Sequence, residues 1–107
     1  MKTNHDKLIR DKIPQILIQK NIQAAVRTLT DEEFVNYVKK KVVEEAKEVQ
    51  QAESPKEILQ ECADLTEVLE CLMNTHNLSW NDIAQARSEK NSIRGAFTKK
   101  LLLINTE

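Results

Sequence analysis

Residues 30–52 read TDEEFVNYVKKKVVEEAKEVQQA and residues 54–76 read SPKEILQECADLTEVLECLMNTH, and the periodicity of these two stretches decides the fold. In the first, Phe34, Val35, Val38, Val42, Ala46 and Val49 follow one another at three- and four-residue spacing, which gathers them on one face of an α-helix. Thr30 and Glu33 have the spacing of a capping box, in which each side chain satisfies a free backbone N–H of the first turn. In the second stretch Ile58, Cys62, Leu65, Leu69, Leu72 and Met73 form a wide apolar face that Val68 extends. Ser54 supplies the cap there, and Pro55 occupies the first helical position, where its missing N–H costs nothing. The short connection at Glu53 and Ser54 makes the two helices antiparallel neighbours.

Outward from this pair the signals become shorter. Ser79-Trp80-Asn81-Asp82 opens a third long helix, and Gly95 fits its C-terminal cap. Toward the N-terminus, Pro14 opens a short helix through Lys20, while residues 24–29 read as a brief extended segment. The tail, residues 98–105, carries Leu101-Leu102-Leu103-Ile104 and is a candidate partner for the segment near Val26. The expected architecture is an all-α helical bundle with a small β element joining the N-terminal arm and the C-terminal tail. One glycine and two prolines in 107 residues, with 31% charged residues, favour helices over a turn-rich sandwich or barrel. A single domain over residues 1–107 is expected, and three helices leave enough apolar surface uncovered to call for completion by a second chain.

Sixteen Lys and Arg against seventeen Asp and Glu give a net charge of −1, so no global field draws the chain to nucleic acid or to an anionic membrane. No apolar run approaches the roughly 20 residues that cross a bilayer, and the opening MKTNHDKLIRDK lacks the apolar stretch of a signal peptide. A cytoplasmic location follows as an expectation. Cys62 and Cys71, nine apart along one helix, are too distant for a disulfide and lack a zinc-type partner, so they read as reduced core residues.

Four acids conflict with the apolar faces. Glu45 projects inside the stripe of the first long helix, between Phe34 and Val38, and Glu48 lies on its edge, whereas Glu44, Lys40 and Lys47 point elsewhere. On the next helix Glu61 and Asp64 flank Val68. A carboxylate placed on a buried face takes up a proton unless a cation compensates it. One such pair is adequately read as a surface ion pair with Lys41 or another lysine. Two pairs at i, i+3 spacing on adjacent antiparallel helices favour a metal cage. With oxygen donors alone and neither histidine nor cysteine among them, the cage suits Mg²⁺ or Mn²⁺ rather than Zn²⁺.

The same residues carry a family resemblance. Glu44-Glu45-Ala46-Lys47-Glu48 matches EExxE and, after a twelve-residue gap, Glu61-Cys62-Ala63-Asp64 matches ExxD. Together they resemble the paired signature of the MazG-like all-α nucleoside triphosphate pyrophosphatases, a group that includes phosphoribosyl-ATP pyrophosphohydrolases. Residues 7–14, KLIRDKIP, look like the opening of a small phosphoribosyl-ATP pyrophosphohydrolase-like subfamily, and Lys90-Asn91-Ser92-Ile93-Arg94 looks like the KNxx[KR] element that meets nucleotide phosphate and sugar in relatives. The resemblance implies Mg²⁺ ligation by Glu45, Glu48, Glu61 and Asp64, gives Glu44 no firm role, and implies substrate contacts for Lys90, Asn91 and Arg94, with Arg87 one turn earlier at compatible spacing. It also implies that the second chain completes a homodimer or homotetramer. Arg10 and Lys12 are candidates for phosphate binding; ion pairing with Asp11 or a helix end accounts for them equally well.

The implied reaction is hydrolysis of the α,β phosphoanhydride of a nucleoside triphosphate to a monophosphate and pyrophosphate, with Glu45 or Glu48 accepting the water proton. No Gly-rich phosphate loop is present, which disfavours a P-loop ATPase or kinase. Two alternatives stay open, a family member that binds nucleotide without cleaving it and a helical dimerisation module. Trp80 and Tyr37 read as core aromatics rather than base-stacking platforms, and His76 is explained by a helix C-terminus. His5 has no partner at catalytic spacing.

Overall fold

A computed structural model describes residues 2–107 and contains four helices: α1 (Ile13–Gln19), α2 (Asp31–Gln51), α3 (Pro55–Thr75) and α4 (Trp80–Arg94). The fold is all-α. The chain divides into two compact units, Met1–His76 and Asn77–Glu107.

In the first unit the caps form as the spacing requires. The Thr30 hydroxyl accepts from the Glu33 N–H at 3.2 Å, and the Glu33 carboxylate accepts from the Thr30 N–H at 3.0 Å. Arg27 reinforces this start with a two-armed contact to Glu33 at 3.0 and 2.7 Å. That fork, with the Thr30 N–H, holds the Glu33 carboxyl down at about 2 against an ordinary value of 4.5. At α3 the Ser54 hydroxyl accepts from the Glu57 N–H and donates to the Glu57 carboxylate at 3.0 Å, so the acid closes on the hydroxyl rather than on the backbone. Helix α1 ends in a Schellman turn: Asn21, at φ 58°, donates to the Ile18 carbonyl, and Ile22 donates to the Leu17 carbonyl.

Helices α2 and α3 pack on each other. Val38 is fully buried and Met73 nearly so. Phe34, Val35, Val42 and Val49 on α2, and Leu65, Val68, Leu69 and Leu72 on α3, are half-buried, whereas Ala46 and Cys62 are exposed. The expectation of two core cysteines therefore holds only in part: both thiols are free, Cys71 is half-buried, and Cys62 lies at the surface. A single neighbouring helix covers one side of the wide α3 face and leaves its margin bare. Burial pushes the Cys71 thiol up from its ordinary value, with Glu67 and Glu70 adding to the rise.

In the second unit, the Ser79 hydroxyl and the Asp82 carboxylate complete a capping box at 3.1 and 2.8 Å. Gly95 ends α4 at φ 78°, in the region where a side chain would be strained, and its N–H donates to the Asn91 carbonyl. No strand forms among the described residues, so the expected small β element does not appear. Residues 24–29 form no regular element, and the tail opens with a turn at residues 98–99 and Lys100 at φ 58°, its N–H donating to the Phe97 carbonyl; neither segment finds the paired backbone ladder that makes a strand. Of the two expected core aromatics, Trp80 is 43% exposed, whereas Tyr37 is half-buried, with its hydroxyl donating to Asp6 at 2.6 Å and the Lys40 ammonium 4.8 Å from its ring centre. His76 caps the C-terminus of α3, as expected. No helix is long and apolar enough to cross a membrane among the described residues.

Candidate metal centre

The hairpin brings three carboxylates from two helices to one place. Glu45 on α2 and Glu61 and Asp64 on α3 each offer one oxygen, and these three atoms lie within 4.8 Å of one another. All three residues are half-buried. The i, i+3 spacing of Glu61 and Asp64 sets both on the side of α3 that meets α2, while Glu45 reaches them from within the α2 stripe.

Three like charges at this separation need compensation. Lys41, one turn before Glu45, approaches its carboxylate at 3.7 Å and that of Glu44 at 3.4 Å. Arg10 donates to Asp64 Oδ1 at 2.9 Å. Glu61 stays under-compensated: partial burial raises its carboxyl above the ordinary range, and the charges of Asp64, Glu48, Glu45 and Glu57 raise it further. The donor set fits a hard divalent cation, because three oxygens converge where positive charge is in deficit.

Glu48, expected beside the other three, stands outside the converging group. It is exposed, and with Gln51, Ala52, Glu57 and Glu61 it lines an adjoining cavity of about 220 Å³. Gln51 and Glu57 were not legible as site residues from the motifs, although Glu57 precedes Glu61 by four residues and so shares its face of α3. The partner of Arg10 also differs from the expectation of Asp11 or a helix end: it is Asp64, on α3. Lys12 lies at the N-cap of α1 and is exposed. Lys90, Asn91 and Arg94 occupy the last turns of α4 in the second unit, all exposed, at spacings that bring them toward one side of that helix.

An all-α chain whose helical hairpin gathers carboxylates from EExxE and ExxD segments belongs to the MazG-like class. More narrowly, the chain belongs to the phosphoribosyl-ATP pyrophosphohydrolase family, whose family model matches residues 14–91. No curated protein matches the chain, and no solved structure does.

Proposed function

We propose that this protein hydrolyses the α,β phosphoanhydride of a nucleoside triphosphate, releasing a nucleoside monophosphate and pyrophosphate, with Mg²⁺ or Mn²⁺ held by Glu45, Glu61 and Asp64. The convergence of those three carboxylates on the α2–α3 hairpin carries the proposal, in a family whose chemistry is pyrophosphohydrolysis. When bound, the cation neutralises phosphate oxygens and makes an attacking water more acidic. Glu48 and Glu45 are the candidate acceptors of the proton of that water, and Glu48, at the wall of the cavity, can also complete the cation's ligand set. Arg10, Lys12, Lys90, Asn91 and Arg94 are assigned to substrate, the cations to phosphate oxygens and the amide to sugar.

Residues 1–107 act in this reading as one domain, in the cytoplasm, and as a homodimer or homotetramer. Support for self-association comes from large apolar side chains left in solvent: Ile93 is 84% exposed, Phe97 98% and Leu101 86%. The same exposure favours the second reading, a non-catalytic helical dimerisation module.

Phosphorus NMR of products from a panel of canonical and modified triphosphates, with phosphoribosyl-ATP alongside, separates these readings. Monophosphate and pyrophosphate are expected. Nucleoside diphosphate and orthophosphate would place cleavage at the wrong bond; nucleotide binding without turnover, unchanged in Glu48→Gln, would point to a family member that does not cleave, and neither binding nor turnover would leave the dimerisation module standing.

A further inference from the structure

Arg10 lies in the arm that precedes α1, yet its guanidinium contacts Asp64, 54 residues further along the chain. Four residues before it, Asp6 accepts a hydrogen bond from the Tyr37 hydroxyl at 2.6 Å. The arm is thus fastened twice, to α2 through Asp6 and to α3 through Arg10. The two fastenings differ in what surrounds them. Tyr37 is apart from the converging carboxylates, whereas Asp64 is one of the three acids whose oxygens lie within 4.8 Å of one another.

A guanidinium and a divalent cation on one carboxylate repel each other and draw on the same lone pairs. The Arg10–Asp64 contact is an exposed one, with side-chain exposures of 63% and 44%, so it yields at small cost. Lys41 is in a different position, since it lies between Glu44 and Glu45 on its own helix and keeps Glu44 if Glu45 turns to a metal. Arg10 has no second carboxylate among its described contacts and must turn elsewhere.

We propose that Arg10 is a displaceable counter-ion: it neutralises Asp64 in the metal-free protein, leaves when a divalent cation binds there, and then meets substrate phosphate while the Asp6–Tyr37 bond keeps the arm beside the site. Arm position and metal loading are thereby coupled, and Arg10 becomes available to an anion only once the centre is charged. The inference rests on reading Glu45, Glu61 and Asp64 as the metal centre.

Calorimetric titration of Mn²⁺ into the full-length protein, without nucleotide, tests the coupling in wild type, Arg10→Ala and Arg10→Gln. Removing the competing guanidinium is expected to tighten Mn²⁺ binding about two- to fivefold, the range that breaking an exposed ion pair allows. In wild type, the Arg10 side-chain N–H resonance is expected to shift on addition of Mg²⁺, a readout that needs no variant. Equal or weaker Mn²⁺ affinity in both variants, or an Arg10 resonance unmoved at saturating Mg²⁺, would overturn the counter-ion role and leave the metal centre intact. Absence of Mn²⁺ binding in all three proteins would overturn both.

Discussion

The α2–α3 hairpin sets its awkward residues against one another, whereas residues 93–104 leave theirs in water. In the hairpin three of the acids that interrupt the apolar stripes converge and meet Arg10 and Lys41, and one of them, Glu61, borders a cavity with Glu48. In the second unit Ile93, Phe97, Leu101, Leu102, Leu103 and Ile104 are all more than three-quarters exposed. The first region contains polar groups that want a ligand, and the second contains apolar groups that want a surface. One chain thus carries two unmet demands of opposite character, and each predicts a different kind of partner, a cation for the hairpin and protein for the tail.

Truncation inside and outside the hairpin sharpens that contrast most. Met73→Ala, at a site only 7% exposed, is expected to cost about 2–4 kcal/mol in denaturant unfolding. Ile93→Ala, removing a side chain of similar size at 84% exposure, is expected to change the stability of the isolated chain by less than about 0.5 kcal/mol. Equal losses would erase the distinction. The tail makes its own demand visible in solution mass: sedimentation is expected to give a dimer or tetramer, and Leu101→Ser with Leu103→Ser to shift it toward monomer. A wild-type monomer would break the comparison on that side.

A smaller effect separates two acids of the hairpin by pH. Glu33 is held at about 2, below its ordinary 4.5, so its contacts favour the folded state fully above the ordinary value and fade as pH falls through the lower one. Glu33→Gln is therefore expected to melt lower than wild type at pH 7, with the gap closing between pH 4.5 and 2. Glu61 has the opposite sign. Its carboxyl is raised, so ionising it works against the metal-free fold as pH rises through the carboxylate range and beyond. Glu61→Gln is expected to melt higher than wild type without metal at pH 7, and to gain less from added Mg²⁺.

How much of this was legible in the sequence follows from which residues carry periodic signals. Thr30 with Glu33, Ser79 with Asp82 and Gly95 mark helix ends through local backbone chemistry, and the helices begin and end beside them. Glu45, Glu61 and Asp64 were visible because an acid on an apolar stripe contradicts the pattern around it. Glu48, read from the same pattern, stands outside the converging group on the cavity wall, although its spacing from Glu45 equals that of Asp64 from Glu61: which acids of a face meet depends on how the two helices are docked, and spacing within one helix does not set that. The Arg10–Asp64 contact was not legible, because an arm without periodicity gives no register for a partner 54 residues away. The β element failed for a related reason: residues 24–29 and 98–105 have strand-like composition, but pairing is a long-range choice that composition does not make.

The central claim is that the three converging carboxylates are a catalytic metal centre. It is tested most directly by pyrophosphate release as a function of Mg²⁺ concentration in wild type and Glu61→Gln, using a triphosphate that the wild type turns over. Saturable dependence on Mg²⁺ in wild type, with turnover lowered at least about 100-fold in a folded Glu61→Gln, is the predicted result. Turnover that persists in the variant, or that is indifferent to Mg²⁺ in the wild type, would contradict it.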